Sequence, residues 1–344
     1  MTGVLQAVGG TRSLTQPIDP MALSLNENPF PPLPSVRAAI VAAIGAVNRY
    51  PEFLPEELRR TIAGHIGVSD EQVVIGAGAT GVAMQVLGAV TRPGDRIVMA
   101  DPTFDGYPIL ARMARLTAVT VPLDRDGHHD LDAMADAAAQ AKVVVLCRPH
   151  NPSGTMEPAG SVHRFLSRVP RDVIVLLDEA YIEFVAPRLR LDTQYLINNY
   201  PNVIVVRTFS KAYGLAGIRT GYGFCAPDLA RLVWTMQMPF GTAITNLAAV
   251  VASYDAEHHL RRRVRAIADE RSFLRSHLRR LGVVSSDSHA NFIYLPQRGR
   301  PWADAFLGTG LRVRSYRDGG VRITVGERTS SHAVLRAVEE SLTH

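Results

Sequence analysis

The chain has 344 residues, 47% of them hydrophobic and 20% charged, with a mean hydropathy of +0.04, a composition that excludes a disordered or fibrous protein and suits two or three globular domains. The net charge is +5, from 37 basic and 32 acidic side chains, a mild surplus that an anionic ligand explains as well as nucleic acid does. The longest apolar run, about residues 38–47, is far short of the roughly 18 residues that cross a bilayer, and no signal-peptide pattern opens the chain, so a cytoplasmic protein with no membrane or nucleic-acid partner is expected.

Residues 1–35 carry many prolines and little periodicity and read as an extended N-terminal arm. A helix follows, with Ser35 as its N-cap. From Gln72 onward short apolar strands alternate with helices: 73–75, 96–100, 143–147, 173–177 and 203–207. Such near-continuous apolar runs suit a parallel sheet covered on both faces. Near Asp255 the pattern changes to a long charged helix (about 255–281), strands near 291–296, 311–316 and 321–326, and a last helix from Ser331. The expected organisation is an arm (1–35), a large α/β domain (36–250) and a smaller α+β C-terminal domain (251–344). Cys147 and Cys225 read as unpaired buried thiols. The adjacent pairs His128–His129 and His258–His259 lack ligand spacing, and no metal is expected.

In open α/β sheets ligands bind beyond the carboxyl ends of the strands, so chemistry is sought there. Gly76, Gly78 and Gly81 spell a dinucleotide-binding fingerprint, with Asp101 closing the next strand. This motivates an NAD-dependent dehydrogenase as an alternative. The same glycines, with Thr80, also suit a phosphate at a helix N-terminus. Lys211 follows the strand at 203–207 among small and apolar neighbours, in a chain with only one other lysine, Lys142. Arginine is this protein's general cation, and it cannot form an imine, so a lysine here suits Schiff-base chemistry. Thr208, Ser210 and Arg219 form a natural phosphate cradle. Asp178 ends a buried strand, where its carboxylate needs a partner such as a cationic ring nitrogen. Tyr181 and Asn151 offer a phenol and an amide to a ring oxygen, and Phe104 a face for stacking.

The runs Asn151-Pro152-Ser153-Gly154, Asp178-Glu179-Ala180-Tyr181, Ser210-Lys211 and Arg219 resemble the signature of fold-type I pyridoxal-phosphate aminotransferases. Leu25-Asn26-Glu27-Asn28-Pro29, Arg49-Tyr50-Pro51 and 321–326 resemble the histidinol-phosphate aminotransferase branch, which includes aromatic amino acid aminotransferases. The resemblance runs from about residue 23 to 342. It implies a large domain with a mostly parallel sheet sandwiched by helices, a small C-terminal domain, and a homodimer with a shared active site. It implies that Lys211 is the imine-forming catalytic residue, that Asp178 holds the ring nitrogen of pyridoxal 5'-phosphate, and that Tyr181 and Asn151 bond the ring oxygen. Gly78, Ala79, Thr80, Thr208, Ser210 and Arg219 would hold the phosphate, Tyr50 would reach the phosphate in the partner subunit, and Phe104 would stack on the ring. Asn26, Asn151, Arg314 and Arg322 would face the substrate, Arg322 through its α-carboxylate.

Ala79-Thr80 stands where the branch usually has Asp-Glu, which resembles the aromatic subgroup. Transamination of an aromatic L-amino acid with 2-oxoglutarate is therefore favoured, giving an aryl 2-oxo acid and L-glutamate. Histidinol phosphate is the alternative donor, because Arg314 suits a phosphate or the distal carboxylate of 2-oxoglutarate equally. Arg148, His150 and Ser153 depart from the branch pattern and are expected beside the substrate. A DNA-binding regulator is the third reading, and it lacks an added DNA-binding module.

Overall fold

A computed structural model describes residues 18–297 and 301–343, so the first half of the expected arm, residues 1–17, lies outside the described residues. The chain opens with α1 (Pro34–Ile44) and α2 (Glu56–Ile66). Ser35 is not the cap of α1. Leu33 takes that position and Pro34 fills the first turn, where a missing N–H costs nothing. Next come β1 (Val73–Gly76), α3 (Gly78–Val90), β2 (Arg96–Asp101), α4 (Gly106–Met113), β3 (Thr117–Pro122), α5 (Leu131–Ala138), β4 (Val143–Cys147), α6 (Ala159–Arg168), β5 (Ile174–Asp178), α7 (Thr193–Asn199), β6 (Val203–Thr208), β7 (Gly221–Cys225), α8 (Pro227–Trp234) and α9 (Ile244–Asp255).

The seven strands form one sheet in the order β1-β7-β6-β5-β4-β2-β3, parallel except for β7, which runs against both its neighbours. Successive residues of each strand enter opposite cores, as a pleated strand requires. Val144, Leu146, Val175, Leu177, Val203 and Val205 pack under α2, α5, α6 and α9. Val143, Val145, Leu176, Ile204 and Val206 pack under α3, α4 and α8. Both faces of the sheet are therefore covered, which explains why these strands read as unbroken apolar runs.

This topology disposes of the dinucleotide fingerprint. Strand β1 lies at the sheet edge beside antiparallel β7, and β7, β6, β5 and β4 separate it from β2. No adjacent parallel βαβ unit places Asp101 opposite the glycine loop.

The remainder comprises α10 (Glu257–Arg280), β8 (Phe292–Leu295), β9 (Arg314–Ser315), β10 (Val321–Thr324) and α11 (Arg328–Thr343). The strands form a separate antiparallel sheet in the order β8-β10-β9. Its core includes Leu274, Leu278, Ile293, Trp302, Phe306, Ile323 and Val338, and also Leu23 from the arm. Ala22 bridges Arg312, and the Leu23 carbonyl accepts from the Thr324 N–H at 2.9 Å, so this part of the arm extends the small sheet. Helix α10 serves both lobes. Leu260 and Ile267 lie in the large core and Leu274 and Leu278 in the small one.

Candidate active site

The carboxyl ends of β4, β5 and β6 open into a cavity of about 560 Å³, closed on the other side by residues 24–27 of the arm and by Arg314 and Arg322 of the small sheet. Lys211 stands three residues beyond β6. Its Nζ donates to the backbone carbonyls of Leu25 (3.0 Å) and Asn26 (3.2 Å). Burial, with Arg322 and Arg219 nearby, lowers its pKa to about 8, against the pull of Glu27 and Asp178. About a tenth of the amine is thus unprotonated at neutrality, far more than an ordinary lysine offers.

Asp178 is the last residue of β5 and is buried. Its Oδ2 accepts from the Tyr107 hydroxyl at 2.6 Å and from Cys147 Sγ at 3.7 Å, and its Oδ1 from the Ala180 N–H at 2.9 Å. These donors are all neutral. Burial pushes the carboxyl above its usual range, although the three hydrogen bonds oppose the shift. Tyr181 lies across from it. Its hydroxyl accepts from Asn26 Nδ2 (2.9 Å) and Asn151 Nδ2 (3.5 Å), and burial raises its pKa despite Arg322.

A second group lies at the start of α3. The first N–H groups of a helix have no partner within it, and Ala77, the N-cap, supplies no side-chain bond. Ala79 and Thr80 of this first turn line the cavity. Arg219 faces them, donating to Ser210 Oγ (3.1 Å) and to the carbonyls of Ala216 (2.8 Å) and Ala77 (3.2 Å). Thr208 Oγ1 donates to Ser210 Oγ at 3.0 Å. The space is tight: a Cβ on Gly78 would lie 2.4 Å from Arg219 Nη2, and one on Gly221 only 2.4 Å from the Ala79 nitrogen. Arg219 itself has φ of 56°, a left-handed conformation that costs a non-glycine residue about 1–3 kcal/mol. The result is a small concave cluster of N–H, hydroxyl and guanidinium donors, which suits a phosphate.

Arg322, on β10, is buried. It donates to Asn151 Oδ1, to Tyr316 Oη at 3.0 Å and to the Ser24 carbonyl at 2.6 Å. Its Nε has no partner in the structure. A buried donor left open is costly and is expected to take an acceptor from a ligand. Arg314, on β9, pairs with Asp105 at 2.8 Å at the cavity rim. Phe104 lines the same wall.

The sequence-derived set thus converges on one cavity, with two exceptions. Tyr50 is 81% exposed and packs against Phe240, the tilted rings having centroids 4.7 Å apart, away from this chain's own cavity. The expected departures beside the substrate are also placed differently. Pro149 and Asn151 line the cavity, whereas Arg148 and His150 are fully buried on the other side of the strand extension. Arg148 donates to the carbonyls of Glu157 (3.0 Å) and Leu189 (2.9 Å). His150 contacts Ser153 at 3.0 Å, and burial, with His129 beside it, keeps it neutral. These departures therefore alter the packing behind the site.

Residues 18–326 match the model of the family described as aminotransferase class I and II. The chain is 40% identical over 323 residues to the aromatic amino acid aminotransferase of Cutibacterium acnes, covering 93% of this chain and 92% of that protein. The chain belongs to the class I and II aminotransferases. Similar identity, 39%, relates this aminotransferase to the aromatic amino acid aminotransferase of Streptomyces coelicolor, over 92% of this chain and 89% of that one. Among solved structures, the histidinol-phosphate aminotransferase of Sinorhizobium meliloti in complex with pyridoxal-5'-phosphate has a TM-score of 0.87 at 28% identity, covering 94% of this chain and 90% of that one. The aminotransferase fold is thus a seven-stranded mixed sheet with a small antiparallel lobe. Two site residues escaped the sequence reading of this aminotransferase, Tyr107 beside Asp178 and Asp105 beside Arg314. Tyr107 lies in the first turn of α4 and meets the Phe104 ring edge-on at 5.7 Å between centroids, within the polar and aromatic segment that follows β2. Asp105 shows no signal in the sequence, because its partner is 209 residues away.

Proposed function

We propose that this aminotransferase transfers the amino group of an aromatic L-amino acid to 2-oxoglutarate, with pyridoxal 5'-phosphate as cofactor. The observation that carries the reaction type is the weakly basic amine of Lys211, held in one cavity with Asp178 and Arg322. The aromatic preference rests on the relatives' names and on apolar wall residues such as Leu25, Phe104, Leu110 and Val313.

The residues fit the cofactor. Gly78, Ala79, Thr80, Thr208, Ser210 and Arg219 would hold its phosphate at the orphaned N–H groups of α3. Asp178, buried among neutral donors, would gain a cationic ring nitrogen as its missing partner, and the pair would keep that nitrogen protonated. Tyr181 and Asn151 would bond the ring oxygen, and Phe104 would cover a ring face. Bound there, pyridoxal phosphate supplies an aldehyde and an electron-withdrawing ring. Lys211 Nζ, with its lowered pKa, serves as the amine and as the carrier of a proton to and from the substrate Cα. The open Nε of Arg322 and its Nη atoms fork onto the substrate α-carboxylate, with Asn26 and Asn151 fixing the same end.

A homodimer completes this reading. Tyr50, Phe53, Phe240 and Met238 are exposed apolar side chains close together in the fold, with the Phe53 and Phe240 ring centroids 5.1 Å apart, and such a patch suits a protein interface. Tyr50 would reach the phosphate of the partner subunit. A cytoplasmic location is supported by the two unpaired buried thiols. Among the described residues, no helix is long and apolar enough to cross a membrane.

Two measurements test the assignment. With 2-oxoglutarate as acceptor, kcat/KM for phenylalanine is expected to exceed that for histidinol phosphate by about tenfold or more, the discrimination available from a few pocket contacts. The reverse order overturns the aromatic reading. Incorporation of pyridoxal phosphate into the cofactor-free chain, trapped with borohydride, should speed up about tenfold per pH unit below 8 and level off above it, following the free amine of Lys211. A rate still climbing two units higher marks an ordinary lysine and contradicts the lowered pKa.

A further inference from the structure

Asp105 belongs to the large lobe and occupies the N-cap of α4. An N-cap carboxylate ordinarily accepts from the first N–H groups of its own helix. Asp105 makes no such bond. Its Oδ2 instead accepts from Arg314 Nη2 at 2.8 Å, across the cavity mouth in the small lobe. Both residues line the cavity.

Arg314 is also the cross-strand partner of Arg322. Residues directly opposite in an antiparallel pair point to the same face with Cβ atoms about 5 Å apart, and like charges there repel. The Tyr316 ring centroid lies 6.0 Å from the Arg314 guanidinium carbon and 5.9 Å from that of Arg322. A second cation thus stands one strand away from the arginine assigned to the substrate α-carboxylate. A carboxylate of the protein already occupies it.

We propose that Asp105 is a specificity-determining residue, which withholds the Arg314 guanidinium from a second anionic group on the substrate and so favours a neutral aromatic side chain over one bearing carboxylate or phosphate. This rests on the aminotransferase reading and on Arg322 as the α-carboxylate site. Both side chains of the pair are about half exposed, at 47% and 48%. An exposed ion pair is weak, so its competition amounts to about fivefold in affinity, small enough for 2-oxoglutarate still to displace Asp105.

The test uses the cofactor-loaded enzyme and two unreactive ligands, glutarate with two carboxylates and 3-phenylpropionate with one carboxylate and a ring. Dissociation constants are read by calorimetry. Asp105→Asn is expected to shift the ratio of the two constants about fivefold toward glutarate. The shift should disappear in the Asp105→Asn/Arg314→Gln double variant, and should shrink at 1 M salt, where screening acts over about 3 Å. An unchanged ratio in Asp105→Asn, or a shift that persists without Arg314, overturns the proposal. Arg314→Gln alone provides a second route, since it should move the ratio away from glutarate, and no movement counts against the proposal. Failure of the aromatic reading is seen separately: if phenylalanine is not a donor but the ratio still shifts with Arg314 present, the donor assignment falls and the role of Asp105 stands.

Discussion

Lys211→Ala is expected to abolish transamination while leaving the fold intact. General acid–base catalysis alone contributes about 10²–10⁴-fold, and this variant removes both the proton carrier and the amine, so turnover should fall by more than about 10³-fold. No other side chain can replace it. The chain's one other lysine, Lys142, lies at the opposite end of the sheet and pairs with Asp172 at 3.3 Å. The folded state loses little, because Lys211 Nζ bonds only two arm carbonyls and its amine pays for burial with a lowered pKa. Circular dichroism and the melting temperature should therefore stay close to those of the parent protein. Turnover within about tenfold of the parent would remove Lys211 from the chemistry.

Arg322→Lys is expected to raise KM for the amino donor by about tenfold to hundredfold, with a smaller change in kcat, since hydrogen bonds to charged groups contribute about 1.5–3 kcal/mol each. Lysine keeps the positive charge and loses the planar fork. Its three donors would all be taken up by the partners that Arg322 now serves, Asn151, Tyr316 and Ser24, leaving none for the carboxylate. The loss should therefore extend to every donor with an α-carboxylate, in contrast to the selective effect expected at Asp105. Steady-state kinetics with phenylalanine and glutamate distinguish the two. Equal KM values in parent and variant would place the carboxylate elsewhere.

The strands that position the site were legible because the sheet is covered on both faces. Val143–Cys147 is apolar throughout and Val203–Thr208 is apolar over its first four residues, as buried parallel strands read. Strand β3 gave no such signal, since it lies at the sheet edge and most of Thr117–Pro122 is exposed. The reversed direction of β7 has no local signature. Its glycines are explained only by packing, because a Cβ on Gly223 would lie 2.9 Å from Val82. Lys211, Asp178, Tyr181, Asn151, Arg219 and Arg322 could be picked out because their types and order carry chemistry. What the order could not reveal was orientation. Arg148 and His150 alternate with Pro149 and Asn151, so one pair turns to the cavity and the other behind it. The Asp105–Arg314 contact joins distant parts of the chain and arises only from how the two lobes are set together.

Helix α10 gives that setting a mechanical character. It has 24 residues, and at 1.5 Å per residue it is a rod about 36 Å long, clamped by Leu260 and Ile267 at one end and by Leu274 and Leu278 at the other. The lobes are therefore two bodies on a common shaft, and tilting one against the other loads the shaft in bending instead of turning a free joint. Small displacements of Arg322 and Arg314 relative to Lys211 then cost less than a wide opening, and the two halves of the cavity keep their registration.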